Sequence, residues 1–227
     1  MIEFPKRWPA NNPDILQLYS MATPNGQKIG IMLEETGLPY EAHLVNITKN
    51  DQFDEDFLKL NPNNKIPAII DPDGPDGQPM AMMESGAILM YLAEKTGQFL
   101  PKDPAKRWET LQWMLFQVAH VGPMFGQFGH FYKFAADKTS DNYGVDRYTG
   151  ESKRILEVLN QRLQDRNWIM GDELTIADMA IAPWIKALDF YDGHEALDTV
   201  SYKHVLNYRD RFYARPAVQT GAQVCRP

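Results

Sequence analysis

The feature that most constrains the fold is a change of hydrophobic pattern near residue 100. Up to Gly97, short apolar runs alternate with runs of helical periodicity, whereas from Ala105 onward only helical periodicity is present. Strand side chains repeat about every two residues and helix side chains about every 3.6, so the change separates two kinds of packing. The sequence therefore predicts an α/β domain followed by an all-α domain.

The first part contains predicted elements in the order β-α-β-α-β-β-α. The strands are predicted at "DILQLYS", "YEAHLVNI", "IPAIID" and "PMAMM", and the helices at Asn25–Thr36, "DQFDEDFLKLNP" and "ESGAILMYLAEKTG". The turn-rich stretch "PDGPDGQ" makes the last two strands an antiparallel hairpin, whereas the first β-α-β unit requires parallel strands. These connections predict a mixed four-stranded sheet with helices on its faces.

Composition and pattern give the predicted domain boundaries. Residues 1–13 are rich in Pro and Asn and have no periodicity, which predicts an extended N-terminal arm. The α/β domain is predicted at 14–97 and a linker at 98–104. Residues 105–227 are predicted to form the all-helical domain, in which the Gly122-Pro123 pair should kink the first long helix.

Charge and cysteine content exclude several functions. The 227 residues include 23 basic and 30 acidic side chains, and the net charge of −7 argues against binding to nucleic acid or anionic membranes. The only cysteine, Cys225, excludes an internal disulfide, and five histidines without ligand spacing predict no metal site. No signal-peptide core and no apolar run of about 18 residues is present, so a soluble, cytoplasmic protein is expected.

The stretch "NNKIPAIID" places Pro67 at the start of an interior strand, although proline cannot donate a hydrogen bond to a sheet. One interpretation is a cis Ile66-Pro67 bond in a tight turn, which would direct the Ile66 N–H and C=O toward an extended, peptide-like ligand. The alternative is an ordinary trans proline on an edge strand. The residues alone leave both interpretations open.

Two other stretches mark helix starts. Glu84 and Ser85 stand where a strand ends and a helix begins, so the helix N-terminus and the Ser85 hydroxyl can bind a carboxylate while Glu84 binds an ammonium group. The alternative is a helix cap with Glu in the favoured first turn. Thr175 and Asp178 in "LTIADMAIAP" form a capping-box pattern, which predicts that Asp178 serves folding and not catalysis.

Taken in order, "NNKIPAI", "ESGAIL" and "TIAD" resemble the cytosolic glutathione transferases, and the resemblance runs from about Asp14 to Pro216. "TPNGQKI", "NPNNKIPAI", "LQWMLFQVAHVGPMFGQ" and "DRY" are similar to the bacterial nu class. The resemblance implies a thioredoxin-like N-terminal domain, an all-helical C-terminal domain, a homodimer, and glutathione as co-substrate without a metal. It also implies a glutathione-dependent disulfide-bond reductase with weak transferase or peroxidase activity.

The resemblance assigns glutathione contacts in the thioredoxin-like domain. Glu84 and Ser85 match the positions that hold the γ-glutamyl end. Ile66, followed by a cis Pro67, matches the backbone clamp on the cysteinyl unit. Lys65 matches a side chain near the glycyl carboxylate, and a solvated loop lysine is the alternative.

Two further contacts come from the same resemblance. Gln52 matches another polar contact near the glycyl carboxylate, and Arg147 of the "DRY" stretch matches a basic residue of the helical domain near a second glutathione. A surface ion pair is the alternative for Arg147.

The glutathione sulfur is the predicted chemical centre. A free thiol has a pKa of about 8.5, so the protein must stabilise the thiolate. The resemblance aligns the activating loop with Thr23-Pro24-Asn25, and Pro24 at the first helical position makes Thr23 the N-cap. Thr23 and Asn25 are therefore the predicted catalytic donors, ahead of Ser20 and Tyr19 on the preceding strand.

The position of Cys225, close to the C-terminal end, predicts that disulfide reduction uses two glutathione thiols and not a protein dithiol. A small disulfide or an electrophile would be the second substrate. Two alternatives stay open: a conjugating glutathione transferase for electrophilic small molecules, and a non-catalytic binding protein of the same fold.

Overall fold

The computed structural model describes residues 3–138 and 140–227, which form two compact units. The first unit contains the residues up to Gln98 together with Pro216–Pro227, and the second contains Phe99–Arg215. The C-terminal segment therefore lies in the first unit, whereas the sequence assigned it to the helical domain at 105–227. Periodicity within a segment does not identify the surface on which that segment packs.

A mixed four-stranded sheet lies in the first unit, as predicted. Its strands are β1 (Leu16–Ser20), β2 (Tyr40–Leu44), β3 (Ala68–Asp71) and β4 (Met80–Met83). In the spatial order β2-β1-β3-β4, β1 is parallel to β2 and antiparallel to β3, which is antiparallel to β4. A helical crossover joins the parallel pair and a short connection joins β3 to β4, as these pairings require.

The helices in the described part of the first unit are α1 (Pro24–Thr36), α2 (Glu55–Leu60), α3 (Ser85–Thr96) and α10 (Pro216–Gly221). The α1 and α3 helices end where predicted, at Gly37 and Gly97, whose φ angles of 70° and 68° suit glycine. The helix predicted at 51–62 is shorter, because Asp54 caps α2 by accepting the Asp56 N–H.

The core beneath the sheet surrounds the ring of Tyr19. Its buried side chains are Tyr19, Val45, Phe57, Leu60, Ile66, Ala68 and Ile70. Phe4 and Trp8 pack against this cluster, and Trp8 Nε1 donates to Leu44 O at 2.9 Å. The described part of the predicted N-terminal arm is therefore docked on the first unit.

The helices in the described part of the second unit are α4 (Pro104–Phe116), α5 (Gly122–Gly129), α6 (Tyr143–Arg162), α7 (Ile176–Phe190), α8 (His194–Leu197) and α9 (Lys203–Tyr213). Segments of π-helix, Gln117–Val121 and His130–Phe134, flank α5. The Gly122-Pro123 pair, where a kink was predicted, directly follows the first π-helical segment, and the Gly122 N–H donates to Gln117 O.

The predicted capping box is confirmed at the start of α7. The Asp178 carboxylate is fully buried and accepts the N–H of Ile169 and of Thr175, each at 2.8 Å, and the Thr175 hydroxyl at 3.1 Å. Burial nevertheless raises the pKa of Asp178 to about 6. Within residues 3–138 and 140–227, no helix is both long and apolar enough to cross a membrane.

Candidate functional site

The candidate site lies at one edge of the sheet, where the register brings predicted residues together. Ala68 of β3 lies opposite Tyr19 of β1 on one side and Met83 of β4 on the other, and both pairings are antiparallel. Pro67, which precedes β3, is therefore next to the carboxyl ends of β1 and β4. The loop after β1, the Ile66-Pro67 bond and the start of α3 consequently share this edge.

The loop between β1 and α1 has the local structure that the sequence predicted. Thr23 is the N-cap of α1, with φ −83° and ψ 168°, and its Oγ1 accepts the Gly26 N–H at 3.3 Å. Pro24 takes the first helical position and Asn25 the second. Because a hydroxyl has two acceptor lone pairs and one proton, Thr23 can accept from the helix and still donate to another group.

Gly26 is required by this loop, although its role was not predicted from the sequence. A Cβ atom here would lie 1.9 Å from Met21 O and 2.6 Å from Ser20 Oγ, far inside contact distance. Met21 O also accepts the Thr23 N–H at 2.7 Å, which closes a tight turn. The absence of a side chain at Gly26 therefore lets α1 approach the loop that precedes it.

The predicted donor Thr23 differs in burial from the two alternative donors on β1, Tyr19 and Ser20. Tyr19 is fully buried and stacks on His43 with ring centroids 4.6 Å apart, and burial raises the pKa of its hydroxyl well above the ordinary value. Ser20 is also buried, and its hydroxyl donates to Met21 O at 3.4 Å. Thr23, in contrast, is partly exposed at the helix start.

The Ile66-Pro67 bond is cis, which decides between the two interpretations of this turn. The preceding loop is organised by the buried Asn61, whose Nδ2 donates to Lys65 O at 2.6 Å and whose Oδ1 accepts the Asn63 N–H at 2.9 Å. The Ile66 side chain enters the core, whereas Lys65 is exposed. Asn61 thus holds the backbone that presents both residues, although its role was not predicted from the sequence.

A residue with a strained backbone and a buried lysine from α1 meet at the start of α3. Glu84 has φ 70° and ψ 108°, a backbone conformation that residues other than glycine rarely adopt, and its side chain is exposed. The next residue, Ser85, is buried, and its Oγ accepts a hydrogen bond from Lys28 Nζ at 3.2 Å. Strain of this kind costs about 1–3 kcal/mol and is concentrated at ligand-binding sites.

Lys28 was not predicted as a site residue, because lysine on a helix is normally solvated. Its side chain is only 1% exposed. Burial lowers its pKa to about 7, while the negative charge of Glu84 acts in the opposite direction. The contact with Ser85 joins α1 to the start of α3, so a cation and a hydroxyl lie together at the helix N-terminus.

The other predicted residues lie elsewhere. Gln52 lies in a 3₁₀ turn after β2, and its Oε1 is buried without a hydrogen-bond partner among the described residues. The Arg7 guanidinium pairs with Asp51 and with Asp54, so the N-terminal segment fixes both sides of this turn. Arg147 is exposed on α6 of the second unit.

Comparison with known proteins shows the family. Models described as the N-terminal and the C-terminal domain of glutathione S-transferase match residues 22–95 and 142–211. The chain is 47% identical over 220 residues to the disulfide-bond oxidoreductase YghU of Escherichia coli strain K12, a match that covers 93% of this chain and 75% of that protein. The chain belongs to the glutathione S-transferase family.

Solved structures of glutathione transferases share the fold. One from Burkholderia graminis, with two glutathione molecules bound per subunit, has a TM-score of 0.95 and 55% identity, covering 97% of this chain and 93% of that chain. One from Pseudomonas putida, with one glutathione disulfide bound per subunit, has a TM-score of 0.94 and 50% identity, covering 97% and 96%. The thioredoxin-like and helical parts predicted from the sequence are therefore those of this family.

The chemistry of this glutathione S-transferase site follows from what surrounds the β1–α1 loop. The loop offers a hydroxyl and an amide at a helix N-terminus but no cysteine, because the single cysteine of the chain is Cys225. Within the described ranges, no group of three His, Cys, Asp or Glu side chains is arranged to hold a metal ion. A helix N-terminus that carries these donors can stabilise an anion such as a thiolate.

Proposed function

We propose that the protein is a glutathione-dependent disulfide-bond oxidoreductase of the nu class, with glutathione as its co-substrate. The observation that carries the proposal is the sheet edge where Thr23, the cis Pro67 and the Glu84–Ser85 pair converge around a loop without a cysteine. The name of YghU, and the glutathione or glutathione disulfide in the related structures, support the same activity.

Glutathione is an extended peptide whose groups match this edge in order. The Glu84 carboxylate pairs with the γ-glutamyl ammonium, and the Ser85 hydroxyl with the N-terminus of α3 binds the adjacent carboxylate. The Ile66 N–H and C=O pair with the cysteinyl unit as a neighbouring strand would. Lys65 and the Gln52 amide extend toward the glycyl carboxylate.

Thr23 and Asn25 hold the cysteinyl sulfur as a thiolate. Each charge-assisted hydrogen bond contributes about 1.5–3 kcal/mol, and each pKa unit requires about 1.4 kcal/mol, so two donors lower the thiol pKa by about two to four units. The α1 dipole adds to the same effect. At neutral pH this converts a thiol that is a few per cent ionised into one that is mostly thiolate.

Two thiols are needed to balance the reaction. The thiolate of the first glutathione attacks one sulfur of the substrate disulfide, which forms a mixed disulfide and releases one substrate thiolate. The thiolate of a second glutathione attacks the glutathione sulfur of that mixed disulfide, releasing the other substrate thiolate and leaving glutathione disulfide. Arg147 is the proposed cationic contact for the second glutathione.

We also infer a homodimer and a cytoplasmic location. Trp108 and Leu115 are 71% and 54% exposed, and a spacing of seven residues places them on the same face of α4. Val118 extends this apolar face, which a second copy would cover. Sedimentation of Trp108→Glu tests the dimer: the variant should become monomeric, whereas an unchanged mass would exclude this face.

The inferred cytoplasmic location follows from the co-substrate, because a reducing compartment supplies the glutathione that the reaction consumes.

The test is turnover with glutathione and 2-hydroxyethyl disulfide, compared with conjugation of chlorodinitrobenzene. Wild type should reduce the disulfide much faster than it conjugates the electrophile. Thr23→Ala and Asn25→Ala should each raise the thiol pKa of bound glutathione and lower kcat. Faster conjugation would favour the transferase alternative, and glutathione binding without turnover would favour the binding-protein alternative. Unchanged thiolate pKa and kcat in both variants would refute the assigned donors.

A further inference from the structure

The C-terminal segment is built into the first unit through a close helix contact. A Cβ atom at Gly30 of α1 would lie 2.4 Å from Gly221 O, and one at Gly221 would lie 2.5 Å from Ile31 Cα. Glycine at both positions lets the backbones of α1 and α10 approach to a distance that side chains would prevent. The last residues of the chain are thereby carried back to the sheet edge that holds the candidate site.

Beyond α10, the backbone at Cys225 is attached to that edge. Its carbonyl oxygen accepts the Ala22 N–H at 3.1 Å, and its Sγ donates to His43 O at 3.4 Å. The residue adopts a positive φ of 55°, which turns the chain at this point. Ala22 is the residue directly before Thr23, so the tail contacts the loop one residue away from the proposed thiolate donor.

We propose that the C-terminal tail, residues 222–227, is a positioning element for the thiolate-stabilising loop, and that it acts through the Cys225 carbonyl. The proposal rests on the function proposed above. The loop on the N-terminal side of Thr23 is held by hydrogen bonds from Ala22 N–H to Cys225 O and from Thr23 N–H to Met21 O at 2.7 Å. Longer contacts of 3.4 Å, from the Ser20 hydroxyl to Met21 O and from Gln27 Nε2 to Ala22 O, add to these. The bond to Cys225 O is the one among these that joins the loop to the tail, and without it the Ala22 N–H loses its acceptor and the Thr23 hydroxyl is less firmly directed.

The thiol of Cys225 is not a reactant in this role. It is partly buried, and burial raises its pKa to about 11, so the thiolate is scarce at neutral pH. The proposed positioning of the loop instead depends on the main-chain carbonyl of Cys225, which accepts the Ala22 N–H. This explains how a tail far from the loop in sequence can matter for catalysis without supplying a side chain to it.

The expected consequence is a change in catalysis without a matching change in binding. The residues proposed to bind the first glutathione lie in the loop that precedes β3, at the start of α3 and in the turn after β2, and the tail bonds described here reach none of them. Misplacement of a donor by about 1 Å can cost about a hundredfold in rate. Loss of the tail should therefore lower kcat and raise the thiol pKa of bound glutathione, while the Kd for glutathione changes by less than about threefold.

The experiment compares two truncations of the full-length protein. Ending the chain after Val224 removes the Cys225 carbonyl, whereas ending it after Cys225 keeps an acceptor oxygen there. The thiolate absorbance of bound glutathione is titrated against pH, kcat is measured with 2-hydroxyethyl disulfide, and the Kd is measured by calorimetry. Amide hydrogen exchange at Ala22 reports the bond directly, and circular dichroism checks that each variant is folded.

We expect the chain ending at Val224 to lose at least about tenfold in kcat, with a thiol pKa raised by about one unit and faster exchange at Ala22. The chain ending at Cys225 should match wild type. Equal pKa, kcat and Ala22 exchange in the two truncations would refute the role of the tail while leaving the proposed function intact. A wild-type protein that fails to reduce the disulfide would instead refute the proposed function and this inference together.

Discussion

Replacement of the buried lysine, Lys28→Met, should raise the stability of the fold and weaken glutathione binding. The charged form of Lys28 is disfavoured in the folded protein, since burial lowers its pKa from 10.5 to about 7. Each pKa unit corresponds to about 1.4 kcal/mol, so holding this group charged below pH 7 costs the fold about 5 kcal/mol. Replacing a buried charge by an apolar side chain of similar length is often stabilising by about 1–4 kcal/mol, which is the gain expected near pH 7.

The pH dependence has a definite sign. Between pH 7 and 10.5 the unfolded chain binds more protons at position 28 than the folded protein does, so wild-type stability rises with pH across this window. The methionine variant lacks this contribution. Its stability advantage should therefore be largest at pH 7 and below, and should shrink by about 2 kcal/mol between pH 7 and pH 9. Urea unfolding of both proteins at these two pH values measures the difference.

Although Lys28→Met should stabilise the fold, it should weaken the binding of glutathione. Because Lys28 donates to Ser85, the variant loses a cation beside the proposed γ-glutamyl carboxylate site and should bind glutathione more weakly. A bound carboxylate should raise the pKa of Lys28, so wild type should take up close to one proton per ligand at pH 8. Calorimetry with S-methylglutathione in buffers of different ionisation enthalpy detects this uptake without interference from a thiol. A stability difference that is the same at pH 7 and pH 9, or equal proton uptake by both proteins, would refute the reasoning.

Substitutions at Gly26, Asp178 and Arg7, two of them with a matched control, test separate parts of the structure. Gly26→Ala should abolish turnover while the protein remains folded by circular dichroism, because its Cβ would lie 1.9 Å from a loop carbonyl; wild-type kcat would contradict the loop geometry. Asp178→Ala should lower the free energy of unfolding by about 3 kcal/mol in urea, since it leaves three buried donors without an acceptor, and Asp178→Asn should lose less. Arg7→Ala should raise KM for glutathione about twofold to threefold at constant kcat, because Arg7 fixes the turn that carries Gln52. The control Lys6→Ala keeps its backbone N–H and should have no effect. Equal KM values for the two variants would contradict the positioning role of Arg7.

Local chemistry explains which features could be predicted from the sequence. The Thr23-Pro24 pair specifies a helix start through the hydroxyl and the fixed φ of proline, and Gly37 specifies a helix end, because these preferences act within a few residues. Thr175 and Asp178 were assigned in the same way, three residues apart. The cis state of the Ile66-Pro67 bond was left open by the residues and was favoured only once three stretches, in the order of an α/β domain followed by a helical one, resembled one family.

Features that depend on distant residues were missed for a physical reason. Lys28 and Ser85 are 57 positions apart, so nothing near Lys28 in the sequence indicates that its ammonium group is buried. The requirement for glycine at position 26 follows from the path of the preceding loop, which helical periodicity does not describe. The packing of α10 on α1 depends on Gly30 meeting Gly221, and neither glycine has a distinctive neighbour in sequence.

Two violations of ordinary folding preference lie next to each other at the start of α3, and this supports the site assignment independently of any relative. Glu84 adopts a positive φ that costs about 1–3 kcal/mol, and the adjacent Ser85 is bonded to a lysine buried at further cost. Both costs are incurred at the start of α3, on the sheet edge beside the Thr23 loop. A sequence selected for stability alone would use glycine in place of Glu84 and an apolar residue in place of Lys28. Retaining a carboxylate, a hydroxyl and an ammonium group together there is expected if they serve a zwitterionic ligand, whose binding offsets the strain and the burial.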